Sequence, residues 1–71
     1  MVTEKHIKVT GMSTISWKDA IVQTIAEAAK TIDYISNVTV LEQTAKVNGK
    51  KIAEYYATLD ISFVIDRERE D

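Results

Sequence analysis

Lys51-Ile52-Ala53-Glu54-Tyr55-Tyr56-Ala57-Thr58-Leu59-Asp60-Ile61-Ser62-Phe63-Val64-Ile65 is the stretch on which the fold turns. Ala53, Tyr55, Ala57, Leu59, Ile61, Phe63 and Ile65 fall on one side of an alternating pattern without a break. Ile52, Glu54, Tyr56, Thr58, Asp60, Ser62 and Val64 fall on the other. A period of two is the signature of a strand, and at 3.3 Å per residue this one reaches about 45 Å. A strand this long and this regularly apolar on one face belongs in the middle of a sheet, with neighbours on both edges.

Working backwards, Asn48-Gly49 is a strong hairpin signal, since both residue types tolerate positive φ in a type I′ turn. Before it, Asn37 to Val47 reads as a second strand rich in β-branched residues. Its apolar set shifts phase, from Val38 and Val40 to Leu41, Ala45 and Val47, which predicts a bulge near Val40 and Leu41. Further upstream, Ser16 is a natural helix N-cap and Asp19, three residues on, places an acid at the positive end of a helix. Trp17, Ile21, Ile25, Ala28, Ile32 and Ile35 recur at spacings of four and three, with Ala20 and Ala29 at the edges of the stripe. That periodicity predicts one helix of about 30 Å ending near Ser36. Lys5 to Thr10 alternates as a first strand, with Ile7 and Val9 on one side. Gly11 then interrupts the pattern and GMSTIS reads as a loop.

The expected architecture is therefore α+β: a β-α-β-β chain whose three-stranded antiparallel sheet, in the order 1-3-2, wraps on one long helix that makes the crossover. Residues 1–71 form a single domain, with a charged tail over 66–71 that reads as frayed. The hairpin outruns the helix, and its second face carries Ile52, Tyr56 and Val64. A chain of 71 residues with no cysteine has a thin core and no disulfide to reinforce it. Partner copies are the remaining source of burial, so the sequence predicts a homo-oligomer in a closed assembly.

Charge and composition exclude several functions. A net charge of −2 with interspersed signs argues against nucleic acid, whose binders carry a basic surface. No apolar run is long enough to span a bilayer and MVTEKHIKVTG lacks a signal core, so the expectation is a cytoplasmic protein without a membrane partner. No activated Ser, Cys or Lys constellation and no glycine-rich phosphate loop is visible, so it is read as a binding protein and not an enzyme.

One ordered series of short stretches carries a family resemblance. It runs Gly11-Met12-Ser13, Ser16-Trp17-Lys18-Asp19-Ala20, Ala29-Lys30-Thr31-Ile32, Val40-Leu41-Glu42-Gln43, Gly49-Lys50, then Glu54-Tyr55 with Leu59, Ile61 and Phe63. Over about residues 5 to 65, the chain resembles the dodecins. The resemblance implies a hollow spherical homododecamer that stores or shields flavin (FMN or riboflavin) without catalysis. It also implies where flavin would sit, and there the residue types differ. Asn37 stands where the family places a tryptophan that stacks on the isoalloxazine. Tyr56 stands where a glutamine bonds the ring edge, and Thr44 where some members carry an arginine for phosphate. Losing one stacked ring costs roughly 1–3 kcal/mol by analogy with bases, although Tyr56 offers a substitute ring. Some dodecins lacking the tryptophan are linked to calcium instead.

Other residues have a sharp and a bland reading. Trp17 and Tyr55 read as core anchors. Glu54 and Asp60 share a strand face six residues, about 20 Å, apart, too far for an acid–base pair within one chain. Around a symmetry axis such acids converge into a ring for calcium or magnesium; alone they are solvated surface acids. His6 reads as an exposed strand residue.

Overall fold

Alternation makes the middle strand as expected. In a computed structural model, which describes residues 2–66, β1 spans Val2–Ser13, α1 Trp17–Ala28, β2 Ile35–Asn48 and β3 Lys51–Asp66. The sheet order is β1-β3-β2 and both pairings are antiparallel. β1 runs against β3 from Val2↔Asp66 to Ser13↔Tyr55. β2 runs against it from Ile35↔Phe63 to Asn48↔Lys51.

α1 lies against β1 and β3. Ala20, Ala57, Leu59 and Ile61 are fully buried, and Ile7, Val9, Ile21, Ile25, Ala28, Ile35 and Val38 pack around them. Leu59 and Ile61 are the largest fully buried side chains, each contributing about 1.5–3 kcal/mol. Ala20, expected at the edge of the helix stripe, lies at its centre. There the helix comes closest to the sheet, and only small side chains fit between. Gly11 belongs to the same contact. It was expected to end the first strand, yet β1 continues through it to Ser13. A Cβ at Gly11 would collide with Thr24 Oγ1 and lie 3.3 Å from the Ala20 carbonyl. Glycine is required there by the pressure of the helix, not by a turn.

The helix is shorter than its apolar periodicity. It starts as expected, with Ser16 extended (φ −169°) and its hydroxyl accepting from Asp19 N. The Asp19 carboxylate accepts from the Ser13 hydroxyl at 2.7 Å, which ties the end of β1 to the first turn. The helix closes at Ala28, and the Lys30 and Thr31 amides bond back only three residues, to Glu27 and Ala28. Thr31 and Ile32 are β-branched, and Tyr34 takes φ +60°, which no helix accommodates. Ile35, counted in the helical stripe, begins β2 opposite Phe63. It stays apolar because that strand position also faces the core.

Bulges set the course of the hairpin. The register shifts between Val40 and Glu42, leaving Leu41 unpaired as the phase change predicted. Further shifts fall between Ile35 and Asn37 and between Lys46 and Val47. The last leaves Ala53 unpaired, so the alternation of β3 does break at its start. In the turn Asn48 pairs with Lys51, and Gly49 alone has positive φ (+67°). A single left-handed residue at the first central position is the pattern of a type II′ turn rather than the expected I′. The molecule measures 59 × 19 × 12 Å, and its twelve-residue helix, about 18 Å long, covers only part of it. The tail of expected frayed residues begins with Asp66, which is in β3; residues 67–71 lie outside the described residues.

Candidate functional site

The sheet face turned away from α1 is built from the even positions of β1 and β3. Across the three strands these stack in register rows: His6–Ser62–Asn37, Lys8–Asp60–Thr39, Thr10–Thr58–Glu42 and Met12–Tyr56–Thr44. Side-chain bonds confirm the shared face. Thr10 and Thr58 hydroxyls meet at 3.0 Å, and the Tyr56 hydroxyl donates to Glu54 Oε1 at 2.7 Å.

The expected flavin positions divide into two places. Thr44 and Tyr56 are direct cross-strand partners. Asn37 lies opposite Ser62, six residues along β3 from Tyr56, or about 20 Å. One chain therefore brings together Thr44 and Tyr56 and holds Asn37 apart. Tyr56 is half-buried and Thr44 and Asn37 are exposed. The Tyr56 phenol is held above its ordinary pKa, first by the hydrogen bond to Glu54, then by burial and by the negative charge of Glu54. A planar ring laid on Tyr56 would have the Thr44 hydroxyl as its polar neighbour.

Glu54 and Asp60 each have a partner already, Tyr56 for the first and His6 for the second. Among the described residues no group of three His, Cys, Asp or Glu side chains is arranged to hold a metal ion.

Two residues do more than the sequence suggested. His6 joins a network that crosses all three strands. Its Nδ1 is 2.9 Å from Asp60 Oδ2 and 3.1 Å from Ser62 Oγ, and its Nε2 is 3.4 Å from Glu4 Oε1. Ser36 donates to Glu4 Oε2 at 3.3 Å. The hydrogen bond to Asp60 raises the His6 pKa, burial opposes this, and the charges of Asp60 and Glu4 add to the rise. Alternation alone put these residues on one face; their pairing needed the register of β1 against β3. Trp17 was expected as a core anchor. It is half-buried, its ring meets Tyr55 edge-on at 4.9 Å, and its indole N–H donates to the Thr44 carbonyl at 2.8 Å.

On the helix side, an open groove of about 490 Å³ runs between α1 and the edge strand β1, lined by residues such as Ile7, Val9, Thr24 and Ile32. None of Asn37, Thr44, Glu54, Tyr56 or Asp60 lines it.

Large apolar side chains are uncovered along the hairpin: Val40, Leu41, Val47 and Ile52, with Val47 62% exposed. No helix among the described residues is long and apolar enough to cross a membrane.

Comparison with known proteins bears on this arrangement directly. The dodecin family model matches residues 3–66. An arginine-to-alanine variant of the dodecin from T. thermophilus superposes with a TM-score of 0.88 at 22% identity, over 94% of this chain and 100% of that one. The dodecin from Streptomyces davaonensis gives 0.86 at 24% identity, over 93% and 97%. A calcium dodecin from Mycobacterium tuberculosis, described as calcium-chelating, gives 0.79 at 27% identity, over 94% and 96%. A sequence search of curated proteins finds no match. With a family match over nearly its whole length and the same β-α-β-β fold, the chain belongs to the dodecin family.

Proposed function

We propose that this chain is the subunit of a dodecin-type shell, a homododecamer, that sequesters flavin or a related planar aromatic between subunits and catalyses no reaction. Family membership over residues 3–66 carries the reading. The uncovered hairpin supports self-association. Val40, Leu41, Val47 and Ile52 lie exposed along paired strands, and surface of that kind is stabilised by a neighbouring copy. The separation of Asn37 from Tyr56 means that a ligand touching both positions spans two subunits.

The residues present fit the ring of a flavin better than its phosphate. Tyr56 supplies an aromatic face, and Asn37 supplies an amide where a stacked ring would bind more tightly. Thr44 brings a hydroxyl and no charge. Lys46, the nearest cation on that stretch of β2, pairs in register with Glu54. Riboflavin and FMN should therefore bind alike, and about one to two decades more weakly than to a site with a stacking tryptophan. Titrating each with the protein and following flavin fluorescence tests this. Quenching with similar midpoints for the two supports the reading, and undiminished fluorescence of both rejects it.

A second reading has one observation in its favour, the likeness to a calcium-chelating dodecin. Glu54 and Asp60, repeated around a symmetry axis, would then hold calcium or magnesium in a shell that has lost flavin. A thermal midpoint that drops on adding chelator and recovers with calcium supports it; a midpoint indifferent to chelator removes it.

A further inference from the structure

Thr44 and Tyr56 sit in a short block of the hairpin bounded at both ends by register shifts. Glu42–Lys46 pairs with Glu54–Thr58, between the bulge at Leu41 and the shift at Val47. Bulges bend and twist a ladder locally, so the β2 side of this block can take its own angle, while Tyr55–Thr58 stays in register with Thr10–Ser13 of β1. On the β2 side the block is exposed throughout. One side chain of the helix reaches it from the covered face. Trp17 donates its indole N–H to the Thr44 carbonyl at 2.8 Å and sets its ring edge-on to Tyr55. It thus holds both strands of the block, and among the described residues its bond to Thr44 is the one hydrogen bond between α1 and β2. The side chains of Thr44 and Tyr56 lie on the opposite face, since Tyr55, next in sequence to Tyr56, turns toward the helix.

We propose that Trp17 is a positioning residue for the ligand face: by fastening the Thr44 carbonyl to the first turn of α1 it fixes the angle at which the hairpin presents the Thr44–Tyr56 pair. The tilt of that pair sets how closely a planar ring stacks on Tyr56, although Trp17 itself stays on the other side of the sheet. The claim about binding rests on the flavin reading above; the claim about the hairpin does not.

Trp17→Phe keeps a ring against Tyr55 and removes the N–H. The expected result is a thermal midpoint within a few degrees of the parent, the same subunit number by native mass spectrometry, and a riboflavin dissociation constant raised about two- to tenfold, as one hydrogen bond warrants. Without ligand, amide exchange should quicken at residues 42–46 and at the amides of 54–58 that bond to them, and stay unchanged in β1 and in the amides that face it. Unchanged exchange in that block overturns the proposal. So does faster exchange with unaltered affinity, which would make Trp17 a fastener and nothing more. If the parent protein takes up no riboflavin, the flavin reading fails, and the exchange pattern still decides whether Trp17 holds the hairpin. If Trp17→Phe does not fold, β-(3-benzothienyl)alanine at position 17 preserves the shape of indole without its N–H, and the same outcomes apply.

Discussion

Gly11 and His6 show how far a single residue's role depends on what another element brings to it. Gly11 reads in sequence as a break, and in the fold it is where helix and sheet touch. Gly11→Ala must push Thr24 aside and so disturb the 2.6 Å bond from its hydroxyl to the Ala20 carbonyl. The expected cost is about 1–3 kcal/mol, as for other overpacked sites. Denaturant melts of the single variant and of Gly11→Ala with Thr24→Ala should show part of that loss recovered in the double. His6 lies between two carboxylates, and only the imidazolium can donate from both nitrogens. Its folded pKa is raised above 6.5. Its contribution to stability is therefore complete below pH 6.5 and is lost as pH rises through the higher folded value. The His6 side chain is 51% exposed, so the effect is small in energy; an NMR titration resolves it directly. The ring should titrate above 6.5 in the parent and fall in Asp60→Asn. An unshifted titration in the parent would show that the network does not form. Tyr56 behaves alike at the alkaline end. With its pKa raised above 10.0, its phenol should ionise later than free tyrosine, and Glu54→Gln should bring it down.

At the scale of the elements, the helix end and the bulges separate what the sequence could say from what it could not. The N-cap at Ser16 was legible because capping is local: a hydroxyl, an amide three residues on and nothing else. The bulge at Leu41 was legible because a period of two makes any slip visible as a change of face. The C-terminal end of α1 was not. Ile32 and Ile35 keep helical spacing while serving a turn and a strand, and apolar periodicity cannot distinguish a residue that faces the core from a helix from one that faces it from a strand. The local signal that counted was the low helix propensity of Thr31, Ile32 and Asp33. Tyr34, which links the two elements, is 78% exposed and holds φ +60°, while its carbonyl accepts from Val64 N at 3.2 Å. Tyr34→Asn or Tyr34→Gly relieves that backbone and should stabilise the fold by about 1 kcal/mol, seen as a higher thermal midpoint. A lower midpoint would mean that the exposed ring makes contacts in the assembly that outweigh its backbone strain. For the candidate site, the sequence offered positions but not their proximity. Resemblance pointed to Asn37, Thr44 and Tyr56, but only register showed that two of them are neighbours and the third stands apart. Trp17's bond to Thr44 joins elements distant in sequence, and no local pattern encodes it.

For the whole molecule, the proportions decide. Among the described residues, a core of four fully buried hydrophobic side chains supports a body 59 Å long, and Leu41, 49% exposed, and Val47 lie on a stretch of β2 that is exposed throughout. A lone copy would leave this surface to water and to chance pairing; an assembly would bury it and add to each subunit's stability in proportion to the logarithm of concentration. Changing Leu41 and Val47 together to threonine should leave the β-α-β-β fold recognisable by circular dichroism and weaken assembly, seen as smaller species on dilution. Native mass spectrometry of the untreated protein decides whether copies of the chain shelter one another. One closed species of twelve chains, carrying extra mass in multiples of a flavin, is expected. A folded single chain at working dilution would contradict this.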